Sequence, residues 1–270
     1  MSNKGLREGP APAHVVGLEK PPLRAADEHL WAHMGLVVVG NSPAANIDNA
    51  CRVIEGDDRL RGRFYYDEFS GRIFSRWHAG DEWREWTDAD AIRLALFLQR
   101  AIGVGKMTPA TADAAVTVVA HAHRRNTAKE WLRGLHWDQR KRLHLLLQLG
   151  FGAKLNPYTE AVGRCFMVGM VARVIRPGAK VDSMPVLEGE QGIRKSSGLR
   201  ALVGDAWFAE AAESPTSKDF FQVLAGKMLV EIAELDAFSR AEVNTIKRVI
   251  TCQVDRYRAP YGRRAEDHPR

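Results

Sequence analysis

The chain has 270 residues, 45% of them apolar and 27% charged, which supplies core for one large or two modest globular domains and excludes a collagen-like or wholly disordered protein. Its formal charge of +6 permits a nucleic-acid partner without requiring one. Cys51, Cys165 and Cys252 stand far apart and offer neither a disulfide framework nor metal-ligand spacing, and no apolar run reaches membrane length, so the expectation is a reducing, cytoplasmic setting with no membrane partner.

Residues 1–28, rich in Pro, Ala, Gly and charge, are expected to be a tail or linker. A small α+β region follows over 29–87, a helical region over 88–156, and an α/β domain over 157–270. In the first of these, Gly35–Val39 suits a short strand. Asn46 suits the cap of a helix to Glu55, with Ile47, Ala50, Cys51 and Ile54 on one side. Arg63–Tyr66 and Arg72–Phe74 suit two strands joined at Ser70-Gly71. Tyr65, Tyr66, Phe69, Phe74, Trp77, Trp83 and Trp86 crowd here among arginines. Such a cluster serves either as an aromatic core or as a stacking surface for single-stranded nucleic acid, and the demand of aromatics for burial favours the core.

Asp88–Ile102 has the apolar stripe of an amphipathic helix, ended by Gly103 and Gly105. Thr108-Pro109 starts the next helix, predicted to run to about Arg125. His121 and His123 do not share a helix face, which makes them poor joint metal ligands. Thr127 to Glu130 matches a capping box. Trp137-Asp138 and the basic run Arg140-Lys141-Arg142 come next, expected as a solvated face able to touch phosphates. Pro157 to about Ile175 should be a largely buried helix, with Val162, Phe166, Met170, Val171 and the small Cys165 in the core.

The stretch Val186 to Ser197 carries the strongest chemical signal. An apolar strand over Met184–Leu187 is expected to run into Gly189, Glu190, Gln191, Gly192, Ile193, Arg194, Lys195, Ser196 and Ser197. This is the phosphate-loop spacing of glycine, four residues, glycine, lysine and a hydroxyl, with Arg194 in place of the second glycine. Glycines let consecutive N–H groups turn toward a phosphate, the lysine reaches the β/γ-phosphates, and the hydroxyl holds Mg²⁺. Pro185 is awkward within a central strand, and Gly198 weakens the following helix. Further on, Lys227–Asp236 is an apolar run that delivers acids: Glu234 is the candidate to orient an attacking water, Glu231 and Asp236 the candidates for the metal. After a helix over Ala241–Thr251, Arg256, Arg258 and Arg263 with neighbouring tyrosines suit phosphate or base contacts, or the bracing of another subunit.

Together, Leu187–Ser196, Val230–Asp236, Asp255–Gly262 and Trp131–Asp138 with Arg142-Leu143 resemble the virulence-associated protein E family of phages, prophages and genomic islands, itself similar to superfamily 3 helicases and primase–helicases. The resemblance extends over about Asn46–Arg270. It implies an AAA-like α/β P-loop NTPase core, ATP and Mg²⁺ as cofactors, DNA as partner and a homo-oligomeric ring. It places Lys195 and Ser196 in the phosphate and metal roles and Glu234 in the catalytic one. The family's core continues into a polar sensor residue and an arginine finger, the latter worth ~10³–10⁵ in rate. This sequence stops before them, so a C-terminally truncated core is expected. The reading that follows is a helicase-like ATPase of a mobile-element replication module; the alternative is a non-hydrolysing nucleotide- or DNA-binding remnant or regulator.

Overall fold

The computed structural model describes residues 26–78, 80–211, 217, 220–232, 240–257 and 265–269, a mixed α/β chain of helices and small sheets. Chain contacts divide it into two units. The first holds the described residues up to Tyr66 together with Ile73–His123; the second holds Asp67–Arg72 and Arg124 onward.

The first unit opens with α1 (Ala26–His33), which begins at residue 26, before the expected tail or linker ends at 28. The indole of Trp31, itself buried, donates to the Ile102 carbonyl at 2.6 Å. The expected strand at Gly35–Val39 shrinks to β1 (Val38–Val39), which pairs antiparallel with β2 (Ser42–Pro43). Asn46 caps α2 (Ile47–Gly56), accepting from the Asn49 N–H. The face of α2 turned inward differs from the expected one: Asn49, Ala50, Val53 and Ile54 are buried, and Ile47 is exposed. Asn49 decides this, because its side chain accepts from Val37 N–H and donates to the Val37 and Ala44 carbonyls, all near 2.8–2.9 Å.

Strands β3 (Phe64–Asp67), β4 (Arg72–Ser75) and β5 (Arg84–Glu85) lie in the order β5-β4-β3, and the expected hairpin turn leads from β3 to β4. The aromatics of this unit pair with one another. Tyr65 stacks on Phe74 and meets Trp83 edge-on, and the Arg76 guanidinium covers the Trp83 ring at 4.5 Å. Asp90, buried near the start of α3 (Asp88–Ala101), accepts from Trp77 Nε1, Arg84 and the Thr87 N–H and hydroxyl. The helix α4 (Pro109–Ala122) has Thr108 as its cap and stops earlier than the periodicity predicts. With α2 and α3 it builds the main core around Val53, Leu94, Leu98, Met107 and Val116.

In the second unit, Arg124–Arg125 is a strand, β6, whose Arg125 carbonyl accepts from the Glu68 N–H. This pairing, absent from any local signal, is why α4 does not continue. Asn126, not Thr127, caps α5 (Thr127–Gly134), and the Thr127 N–H and hydroxyl are taken by Asp67. Glu130 pairs with Arg125, so the expected capping box is not formed. A 3-10 turn at Leu143–Leu145 leads into α6 (Leu146–Phe151).

Asn156 and Pro157 start α7 (Pro157–Ile175). This helix is less buried than expected: Cys165 is exposed, Val168 is 59% exposed, and Val162, Phe166, Met170 and Val171 are half-buried. Two of its glycines sit against neighbouring side chains. A Cβ on Gly169 would lie 3.0 Å from Val181 Cγ1, and Gly163 faces Leu146 and Leu147. Beyond come α8 (Lys195–Val203), β7 (Phe208–Ala211), α9 (Phe220–Leu224), β8 (Leu229–Ile232), α10 (Arg240–Thr251), β9 (Val254–Tyr257) and β10 (Glu266–Pro269). β7 and β8 are parallel, and β9 and β10 antiparallel. Val203, Phe208 and Leu229 form the core under α8, each worth roughly 1.5–3 kcal/mol of burial.

Candidate functional site

The expected strand at Met184–Leu187 is not formed: residues 179–190 run without helix or strand, and Val186 is 56% exposed. Pro185, lacking an N–H, cannot donate to a ladder in the middle of that run. Met184 and Pro185 nevertheless lie near β8, lining with Leu229, Val230 and Ile232 one side of a cavity of about 220 Å³.

The loop that follows is shaped by three residues at positive φ. Gly189 has φ 153°, Gly192 has φ 85°, and Arg194 has φ 64° and ψ 33°. Arg194 therefore holds the left-handed conformation that the motif normally assigns to glycine, immediately before α8 begins at Lys195. A Cβ on Gly189 would come within 2.9 Å of Ile193 Cδ1. No helix or strand claims the N–H groups of residues 190–193, and the first-turn N–H groups of α8 point out of the same end.

The Lys195 ammonium donates to the carbonyls of Gly189 and Glu190, at 2.8 and 2.9 Å, and so closes the loop on itself. One residue on, the Ser196 hydroxyl donates to Glu231 Oε1 at 2.8 Å. The other carboxylate oxygen, Oε2, is buried and has no hydrogen-bond partner among the described residues. A buried carboxylate oxygen left unpartnered is costly, and a cation is the natural complement. Among the described residues no three His, Cys, Asp or Glu side chains gather into a cage. A hydroxyl with one carboxylate suits Mg²⁺, which keeps several waters and takes one or two protein oxygens beside phosphate.

Sequence reasoning missed the neighbouring rung. Glu210 of β7 is in register with Glu231 of β8. Arg200, one helical turn beyond Ser196, donates to Glu210 at 2.8 Å, lies 3.5 Å from Asp205 and covers the Phe208 ring. The i, i+4 spacing of Ser196 and Arg200 is visible in the sequence; the register that sets the two acids side by side is not.

Glu190, Gln191, Ile193 and Ser197 are exposed. Arg256 lies on β9, 3.6 Å from an Asp267 carboxylate oxygen. Glu234, Asp236, Arg258 and Arg263 lie outside the described residues. No helix among the described residues is long and apolar enough to cross a membrane.

The sequence model of the virulence-associated protein E-like domain matches residues 132–270, just over half the chain. The match begins within α5 and takes in all of residues 189–197. No curated protein matches the chain.

Proposed function

The chain belongs to the virulence-associated protein E-like family, and from that premise we propose that the loop 189–197 with Ser196 and Glu231 is the phosphate and Mg²⁺ site of a helicase-like P-loop ATPase in a phage or mobile-element replication module. The observation that carries this reading is the 2.8 Å contact between Ser196 Oγ and Glu231 Oε1, with Oε2 buried and unpartnered beside it. It joins the last residue of the loop motif to an acid on a separate strand, which is the pairing a Mg²⁺-nucleotide needs.

In this reading each residue has a defined task. The N–H groups of residues 190–193 and the start of α8 receive phosphate oxygens. Lys195 exchanges the Gly189 and Glu190 carbonyls for phosphate. Ser196 and Glu231 supply oxygens to Mg²⁺, which would neutralise phosphate charge when bound. Glu234 is proposed to orient water and Asp236 to support the metal. DNA as the track and a ring of subunits are proposals that rest on the family.

Isothermal titration of the chain with ATP and Mg²⁺, beside Lys195→Ala, tests the site. Saturable binding lost in the variant is the expected result. Equal affinity in both proteins would remove the loop from consideration.

A further inference from the structure

Trp137 stands 68% exposed, although a free indole gains most from burial. The turn that presents it is built for the purpose. Gln139 has φ 64°, a left-handed conformation that a side chain disfavours. Asp138 accepts from the Arg140 N–H at 3.1 Å and from the Arg142 guanidinium. The Trp137 Nε1–H donates to the Arg140 carbonyl at 3.3 Å, which fixes the edge of the ring and leaves its face open. Backbone strain held in place by three side-chain contacts points to a use for the exposed ring.

The ring lines a groove of about 710 Å³ together with the apolar Leu146, Leu149 and Met167 and the basic Arg140, Lys141 and Arg164. Among the described residues, no acidic side chain lines it. Arg164 is steadied by Glu160 at 3.2 Å, while Arg140 and Lys141 have no ion-pair partner among the described residues. Apolar lining residues, an exposed indole and two cations without an ion pair among the described residues suit a ligand with flat apolar bodies joined by anionic links. A second copy of this surface is disfavoured by like charge, and an acidic peptide has nothing to place on the indole.

We propose that this groove binds single-stranded nucleic acid, with a base stacked on Trp137 and adjacent phosphates on Arg140 and Lys141. Duplexes are excluded from the stacking contact, because their base faces are already covered. The site does not depend on the phosphate loop, so it stands or falls apart from the nucleotide reading.

Fluorescence anisotropy with a labelled oligodeoxythymidylate about 16 nucleotides long, the upper end of the span of such platforms, measures the binding. Trp137→Ala should weaken it about ten-fold and Trp137→Phe should recover most of that loss. Because Trp137 is exposed, both variants should keep the wild-type circular dichroism. Arg140→Ala with Lys141→Ala should flatten the slope of log affinity against log salt by roughly 1.4, two single-strand phosphate contacts at about 0.7 each. Lys195→Ala should bind as wild type does. Unchanged binding in Trp137→Ala, equal binding of a duplex of the same length, displacement of the probe by polyglutamate as readily as by unlabelled strand, or loss in Lys195→Ala would each overturn the proposal.

Discussion

Removing the Ser196 hydroxyl tests the reasoning about the candidate site without any nucleotide present. Ser196→Ala deletes a 2.8 Å bond to a carboxylate whose second oxygen is already unpartnered, so both Glu231 oxygens are left without a donor. Hydrogen bonds to charged groups contribute about 1.5–3 kcal/mol, and since both residues are only half-buried the loss should fall near the lower end, about 1–2 kcal/mol. For a chain of this size that corresponds to a fall in Tm of roughly 5 °C. In a Glu231→Gln background the same bond is neutral, and the cost of Ser196→Ala should shrink to about 0.5–1 kcal/mol. A double-mutant cycle by urea unfolding should then give a coupling of about 1 kcal/mol. The two single variants should also lose the Mg²⁺ enhancement of nucleotide affinity, by at least about ten-fold or 1.4 kcal/mol, with no further loss in the double variant. Additive stabilities, or a Mg²⁺ effect that survives either substitution, would refute the pairing.

Three further outcomes follow from the geometry. Arg194→Gly relieves a left-handed residue that costs roughly 1–2 kcal/mol but adds about 0.5–1 kcal/mol of chain entropy, so the urea midpoint should rise modestly; a fall would contradict the strain argument. Asn49→Ala removes three hydrogen bonds made by a fully buried side chain, while the Val37 carbonyl keeps the Ala44 N–H, and should cost roughly 2 kcal/mol in urea unfolding; a cost under about 0.5 kcal/mol would mean that β1 and β2 hold without it. Burial alone would push the Asp90 carboxyl up, but hydrogen bonds from Arg84, Thr87 and Trp77 outweigh it and hold the group below the usual carboxylate range. Its contribution is therefore full above the unfolded value near pH 4 and is lost as pH falls through the lower folded one. Asp90→Asn should cost roughly 2 kcal/mol at neutral pH, allowing for the half-exposed Arg84, and the gap to wild type should close in acid; a gap constant down to pH 2 would contradict the assignment.

Local chemistry made much of the fold legible. Asn46, Thr108 and the Asn156-Pro157 pair begin helices because each can receive or forgo the N–H groups of a first turn. What escaped was settled by distant partners. Asn126 and Thr127 are both good caps, and Asp67, sixty positions away, chooses between them by binding Thr127. The Arg124–Arg125 strand is set by its pairing beside β3, where the Glu68 N–H meets the Arg125 carbonyl. The exposed stretch around Val186 was foreshadowed by Pro185, whose missing N–H outweighs the apolar run. At the candidate site the motif named Lys195 and Ser196 and offered Glu231 as one of three acids. Only the parallel register of β7 with β8 and the packing of α8 set Glu231 against the hydroxyl. Gly198, a weakness when the helix is considered alone, has a use in the fold: a Cβ there would lie 2.8 Å from Phe151 Cε1, so the glycine makes room for that ring.

The contacts of Lys195 with the Gly189 and Glu190 carbonyls have a consequence for discrimination. The ammonium is not an open charge available to any passing anion. A competitor must replace two solvent-exposed hydrogen bonds to a cation, each worth about 0.5–1 kcal/mol, before it gains anything from the lysine. Chloride or a lone carboxylate offers too few acceptors to do so. On the proposed reading, a chain of phosphates would engage the loop N–H groups and the ammonium at once, and its surplus acceptors would cover the exchange. In that reading the self-closed lysine would act as a threshold, admitting polyvalent anions and turning simple ones away before any metal or base contact takes part.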